Sequence, residues 1–509
     1  MTGTASTCPP KPWRRWGLLT AALAVWVSGS AAKTSAPALT PGASGAASRT
    51  QIERDLAAIF SARNVDHSFW GVSVRSLKTG EVIYSHNPAR LQTPASTQKV
   101  VTSAVAAERL GWDYRYTTTI YATGPMSGGD LDGDLVVVSN GDPTINPRQP
   151  DRWGAFDAWA KSLYAKGLRR VGGQLIGDDN AFAEPGYGVG WAWDDLVLGY
   201  GAAVGALQYN ENQIELMIGP GQAAGERAII SVSPPGSGVV LNHAVTTVAQ
   251  DQPSRISLER LPGTNLLTVS GQVAVGAQAI TEYAAAPNPT ILYLNALREA
   301  LARNGIFVGG SSLDIDDARV KPDYAKAAVL LEDHSPTIGS MIDVCLKWSR
   351  NQYAETLLYS LAPVGAEATA AAALDSVRET LTKWGVSGEL YVARDGSGLS
   401  RNDYLSPDAL VGVLTRMWKD PKHREPFKAT LPQSAVSGFL ANRMKNSPAA
   451  EKVWAKTGSM SNVRSLSGYI MTSSDEPLVF AFMATGFRVP ASQIDAAMDA
   501  ALSRLVSYK

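Results

Sequence analysis

The sequence predicts an α/β protein of the α+β type, with one antiparallel sheet built from both ends of the chain and helices packed on it. Two observations predict it. Apolar strand patterns occur near residue 70 and again at 467–483, and long helical patterns precede the second set. From about Thr123 to Lys321 the texture changes to short β runs punctuated by Gly, Pro, Asn and Asp, which reads as a large β-rich insertion. The 509 residues also exceed what one compact core holds, so at least two domains are expected.

The elements follow in order. Lys11, Arg14 and Arg15 precede an apolar run, Gly17 to Val27, and then small residues Ser28 to Ala32. That is the pattern of a secretory signal peptide over 1–32, and the run is shorter than the roughly 20 residues a bilayer-spanning helix needs. The protein is therefore expected to be exported, periplasmic or otherwise extracytoplasmic, with loose membrane association or an uncleaved anchor as the alternative to full release. Residues 33–50, rich in Ala, Ser, Thr, Pro and Gly, read as a flexible tether.

Phe69 to Leu77 alternates, turns at Lys78-Thr79-Gly80-Glu81 and resumes at Val82-Ile83-Tyr84, a β-hairpin. Thr93 to Lys99 leads into a helix whose stop is Gly111. Within the insertion, strands are expected around residues 135–138, 174–176, 213–218, 229–232 and 266–269, with one amphipathic helix, Ile291 to Arg303. Helical patterns then cover Ile338 to Leu361 and Ala366 to Trp384. Strands Ser467–Met471 and Leu478–Met483 and a closing helix, Ser492 to Val506, complete the chain. The expected division is 51–122 with 323–509 as one discontinuous domain, and 123–322 as inserted material.

Basic and acidic side chains balance at 46 each, so no surface suited to nucleic acid is indicated. Five scattered histidines and two cysteines do not supply the close ligand spacing of a structural metal cluster, so neither metal nor cofactor is expected. Cys8 would leave with the signal. Cys345, in an apolar helical pattern, reads as a buried structural thiol.

Chemistry is suggested by three short motifs. Ser-x-x-Lys occurs at Ser30…Lys33, across the signal cleavage region, and at Ser96…Lys99, where it opens a helix. Residues three apart share a helix face, so a lysine of lowered pKa there can deprotonate the serine. Lys-Thr-Gly occurs in the hairpin turn, Lys78-Thr79-Gly80, and beside the late strands, Lys456-Thr457-Gly458. The second copy offers a cation and a hydroxyl to a carboxylate, and a glycine that lets a ligand approach. Ser-x-Asn occurs at Ser85-His86-Asn87, Ser349-Arg350-Asn351 and Ser400-Arg401-Asn402. Singly these patterns are common. In the order Ser96…Lys99, Ser349…Asn351, Lys456-Thr457-Gly458 they are jointly specific.

On these motifs the chain resembles the D-alanyl-D-alanine carboxypeptidase/endopeptidases, the low-molecular-mass class C penicillin-binding proteins. Gly141-Asp142-Pro143-Thr144, Trp193-Asp194-Asp195-Leu196, Asn210-Glu211-Asn212 and Asp395-Gly396-Ser397-Gly398-Leu399-Ser400 are also similar to family segments. The resemblance implies a penicillin-binding/serine β-lactamase-like transpeptidase domain, with a helical subdomain and a large insertion after the nucleophile helix. It implies acylation of Ser96 by the penultimate D-alanine of a peptidoglycan stem peptide, with Lys99 as base. Ser349 and Lys456 would relay protons and Asn351 would hold the acyl-side amide. Thr457 would bind the terminal carboxylate, and the N–H groups of Ser96 and Ser459 would form the oxyanion hole. β-Lactam antibiotics would acylate the same serine.

Arg350, where relatives often carry Asp or Asn, and Ser459, where Thr is common, depart from the family pattern. Asp142 and Arg401 form a further candidate pair, to grip the ammonium and carboxylate of a diamino acid in the stem. A β-lactamase is the closest alternative, but no Glu-x-x-x-Asn segment lies between Ser96 and Ser349 to position a deacylating water. A non-catalytic wall-binding protein fits poorly with a complete nucleophile, base and carboxylate anchor. No Gly-x-Ser-x-Gly elbow supports a Ser-His-Asp hydrolase.

Overall fold

Five antiparallel strands drawn from opposite ends of the chain form the central sheet, in the order Val82–His86, Phe69–Ser76, Pro477–Thr485, Val463–Met471, Val453–Met460. The computed structural model describes residues 48–65, 67–365 and 368–508. The spans read as signal peptide and, up to residue 47, as tether lie outside the described residues. Ser48 accepts from the Gln51 N–H and caps the first helix, Arg49–Phe60, so helix begins inside the span read as tether.

Both faces of the central sheet are covered. Phe480 and Phe482 pack with Ile52, Leu56, Ile494, Met498 and Leu502 under the two terminal helices, Arg49–Phe60 and Ala491–Leu505. Val479, Ala481 and Met483 face the other way, into a helical layer with Val101, Met341, Leu357, Leu410 and Leu414. A strand buried on both faces has no polar side to alternate with, hence its unbroken apolar run.

The helical layer holds the helix of the Ser96…Lys99 motif, Gln98–Arg109, which ends just before Gly111 at φ 85°. The single helix read over Ile338–Leu361 is two: Ile338–Lys347 and Asn351–Tyr359. Ser349, at φ 56°, turns the chain between them, a conformation that no helical periodicity announces.

A second five-stranded sheet is mixed and runs in the order Ser312–Asp314, Leu175–Asp178, Leu135–Ser139, Thr117–Ala122, Ala328–His334. Thr117 pairs with His334, so this sheet starts before 123 and closes after 322. Two helices pack on it, Pro289–Arg303, capped by Asn288, and Ala155–Ala165, whose Phe156, Trp159 and Leu163 were not read as helical. The insertion also holds two three-stranded sheets, centred on Gln213–Gly219 and Leu266–Ala274, and a small four-stranded sheet, Phe307–Val308, Arg170–Val171, Asp130–Leu131, Met126–Ser127. Among the described residues no helix is long and apolar enough to cross a membrane.

Candidate active site

The nucleophile motif lies where the helical layer meets the edge strand of the central sheet. Ser96 sits in a single 3-10 turn, Ala95–Thr97, entered through Ala95 at φ 47°. The Ser465 hydroxyl donates to the Pro94 carbonyl at 2.6 Å and accepts from Thr97 Oγ1 at 3.2 Å, tying this turn to the sheet. Lys99 follows one turn on and is wholly buried. Its Nζ is 3.0 Å from Ser96 Oγ, 2.7 Å from Asn351 Oδ1 and 2.7 Å from the Ser397 carbonyl.

Two of those partners only accept. A neutral amine donates its two N–H bonds to Asn351 and Ser397, leaving its lone pair directed at the serine O–H. Burial supplies the neutral form, pulling Lys99 down to about 8.

Ser349 and Lys456 complete the centre. Lys456, also wholly buried, donates to Ser349 Oγ at 2.8 Å and to the Thr457 carbonyl at 2.6 Å. Burial first, and then the charge of Lys99, hold its amine well below the usual lysine range. Lys456, Thr457, Gly458 and Ser459 lie on the edge strand, Val453–Met460. A Cβ at Gly458 would stand 2.1 Å from Ser465 Oγ, 2.6 Å from the Pro94 carbonyl and 3.1 Å from the Ser96 nitrogen. This glycine therefore admits the nucleophile turn, where the sequence suggested it admits a ligand.

A cavity of about 270 Å³ opens on this centre, lined by Ser96, Ser349, Asn351 and Ser459, and farther out by Tyr200, Asp195, Arg401 and Met460. Asn351 donates from Nδ2 to the Tyr200 carbonyl at 2.8 Å.

Of the candidate pair Asp142 and Arg401, only Arg401 reaches this cavity. Asp142 is buried elsewhere, accepting from Arg152 at 3.0 Å and from the Thr144 N–H and hydroxyl at 2.8 and 2.6 Å. The acid that lines the cavity together with Arg401 is Asp195, which accepts the Tyr200 O–H at 2.6 Å. Asp195 stands in a loop beside a second aspartate, where no periodicity selects either.

Arg350 points neither into the cavity nor to open solvent. It donates to the buried Glu211 at 2.5 Å, a carboxylate that Arg148 also binds at 3.0 Å. Two of the spare motif copies have structural partners: Lys78 pairs with Glu476 at 3.1 Å, and Ser400 donates to the Val189 carbonyl at 2.6 Å. Cys345 is free and buried.

Over residues 52–505 the chain matches the D-Ala-D-Ala carboxypeptidase 3 (S13) family. It is 32% identical over 472 residues to the D-alanyl-D-alanine carboxypeptidase of Actinomadura sp. (strain R39), covering 90% of this chain and 85% of that one. It is 24% identical over 422 residues to the D-alanyl-D-alanine carboxypeptidase DacB of Haemophilus influenzae, covering 82% and 85%. In three dimensions it superimposes on penicillin binding protein 4 (dacB) of Haemophilus influenzae with a TM-score of 0.79 at 22% identity, over 89% of this chain and 100% of that one. A match across nearly the whole described length, on a fold shared with penicillin binding protein 4, places the chain in the D-Ala-D-Ala carboxypeptidase 3 (S13) family.

Proposed function

We propose that this serine peptidase removes the terminal D-alanine from peptidoglycan stem peptides through an acyl-enzyme on Ser96, and that penicillins acylate the same oxygen. The Lys99 amine accepts the Ser96 proton as Oγ attacks the penultimate carbonyl. The N–H groups of Ser96 and Ser459 receive the oxyanion, a contribution of about 3 kcal/mol per donor in comparable sites. Lys456 passes a proton through Ser349 to the leaving amine, and Thr457 binds the carboxylate of the departing D-alanine. Water, deprotonated by the same amines, then cleaves the ester and restores the serine.

Asn351 serves twice: its carbonyl orients Lys99, and its amide faces the acyl side. Hydrolysis of cross-link bonds by the same steps belongs to this reading, as does export by residues 1–32. So does a catalytic unit of two segments interrupted by the inserted sheets.

The observation that carries the proposal is the Lys99 amine, 3.0 Å from Ser96 with its N–H bonds taken by Asn351 and Ser397. Mass spectrometry after exposure to benzylpenicillin tests it, together with D-alanine release from a D-Ala-D-Ala pentapeptide. The adduct is expected on the peptide bearing Ser96 and absent from Ser96→Ala. An adduct elsewhere, or none with an active enzyme, overturns the assignment.

A further inference from the structure

The carbonyl that holds Lys99 belongs to a loop organised by three buried carboxyl groups, Glu355, Asp395 and Asp403. Glu355, on the helix Asn351–Tyr359, accepts the Gly396 N–H at 3.0 Å and the Ser397 N–H at 2.8 Å. Asp395 accepts from Gly398 N at 2.6 Å, Ser400 N at 2.7 Å and Trp191 Nε1 at 2.8 Å, and more weakly from Ser397 Oγ at 3.4 Å. Asp403 is supplied very differently. Its Oδ1 accepts one N–H, from Arg394 at 2.5 Å, and its wholly buried Oδ2 accepts none.

The Asp403 carboxyl meets that of Asp395, and two carboxylates in contact in a dry site do not both ionise. The proton resides on the oxygen with fewest donors, because each N–H directed at a carboxylate stabilises its charged form. Asp395 has four donors and Asp403 one. We propose that Asp403 is held as a neutral carboxylic acid donating its O–H to Asp395, and that this pair, with Glu355, positions the Ser397 carbonyl that aims Lys99 at Ser96. The inference rests on Lys99 being the base of the proposed reaction. Burial, followed by the charge of Asp395, pushes the Asp403 carboxyl well above its ordinary range, in the same direction. None of the three acids touches the reacting atoms, so they are positioning residues.

Two measurements on the full chain test this. Infrared difference spectra of the parent against Asp403→Asn should show a carboxylic-acid carbonyl band in the parent that the variant lacks. Absence of that band overturns the proton assignment, whatever the enzyme does with substrate. Acylation by benzylpenicillin is then followed at rising concentration. Asp403→Asn keeps a donor toward Asp395 and should hold the maximal rate within about threefold of the parent. Asp395→Asn loses much of its acceptor strength and should lower that rate about tenfold or more, at an unchanged half-saturating concentration. Glu355→Gln, of the same shape, is the second variant should Asp395→Asn not fold, with the same expectation. Folded variants acylating at the parent rate overturn the positioning role. A parent that carries no adduct on Ser96 overturns the reaction instead, and leaves the infrared result standing.

Discussion

Lys99 and Lys456 place two wholly buried amines on the two hydroxyls of one site, Ser96 at 3.0 Å and Ser349 at 2.8 Å. A charge on one discourages a charge on the other, since little water is present to screen them. In the proposed reaction, a Lys99 that takes the serine proton becomes an ammonium that disfavours charge on Lys456 and so favours passage of its proton toward Ser349 and the leaving amine. The base on one side and the acid on the other are thus coupled through charge.

The pH dependence of acylation follows from that state. Bringing Lys99 from 10.5 to about 8 raises its neutral fraction at pH 7 by roughly two orders of magnitude. The second-order rate of benzylpenicillin acylation should rise with pH through an apparent pKa of about 8 and lie about a hundredfold below its plateau at pH 6. Lys99→Arg keeps the cation but holds its proton, so the rate should drop by about 10²–10⁴ at every pH. Stopped-flow acylation from pH 5 to 10 measures both, and a flat profile would contradict a titrating base.

Gly458 yields a prediction that the motif alone would miss. Its Cβ position is occupied by Ser465 Oγ and the backbone of Pro94 and Ser96, so Gly458→Ala pushes the nucleophile turn off the sheet. Overpacking of this kind costs about 1–3 kcal/mol, and a displacement near 1 Å at the nucleophile costs about a hundredfold in rate. Acylation should therefore fall far more than the melting temperature does. A variant that acylates like the parent would mean that the strand yields instead of the turn.

Legibility in the sequence tracked how local each physical signal is. Ser96 and Lys99 share a helix face at fixed spacing, and the edge-strand glycine, hydroxyl and lysine are contiguous, so chemistry and register could be read together. The sheet was readable because both ends of the chain carry strand patterns. Ser349 was found as a motif, yet its backbone was misread, because a left-handed residue interrupts an apolar helical pattern that continues on either side. Asp142 was a candidate only if the insertion folded it over the site, and its neighbours in sequence do not show that it is buried elsewhere. Its partner Arg152 lies ten residues on and the third member of the network, Asp333, far beyond, so only folding reveals the burial. Glu355 and Asp403 left no trace, since a lone acid in a helix or loop normally faces water.

The roles of Asp142 and Asp195 can be checked directly. Asp142→Ala leaves the half-buried Arg152 with Asp333 alone and removes a partnered carboxylate, a loss of about 3 kcal/mol that should appear as a lower melting temperature. Asp195→Ala and Arg401→Ala alter only the outer cavity. They should melt with the parent and lose about tenfold in kcat/KM on stem peptides whose diamino acid carries a free ammonium and carboxylate. Hydrolysis of a peptide without those charges should be unaffected. Equal losses on both peptides would remove this pair from substrate recognition.

Ser349 lets backbone strain and chemistry be separated at a single position. Its φ of 56° costs a residue with a side chain about 1–2 kcal/mol, and the fold sustains it because this turn sets the hydroxyl 2.8 Å from Lys456. Ser349→Ala removes the hydroxyl and keeps the strain, whereas Ser349→Gly removes both but frees the unfolded chain by about 0.5–1 kcal/mol. The glycine variant should therefore be the more stable of the two by about 0.5–1 kcal/mol in denaturant unfolding. Both should lose proton relay to the same degree, about 10²–10⁴ in turnover of the D-Ala-D-Ala peptide. A glycine variant no more stable than the alanine one would show that the turn is not strained. Unequal activities would show that backbone placement, and not the hydroxyl, is what Ser349 contributes.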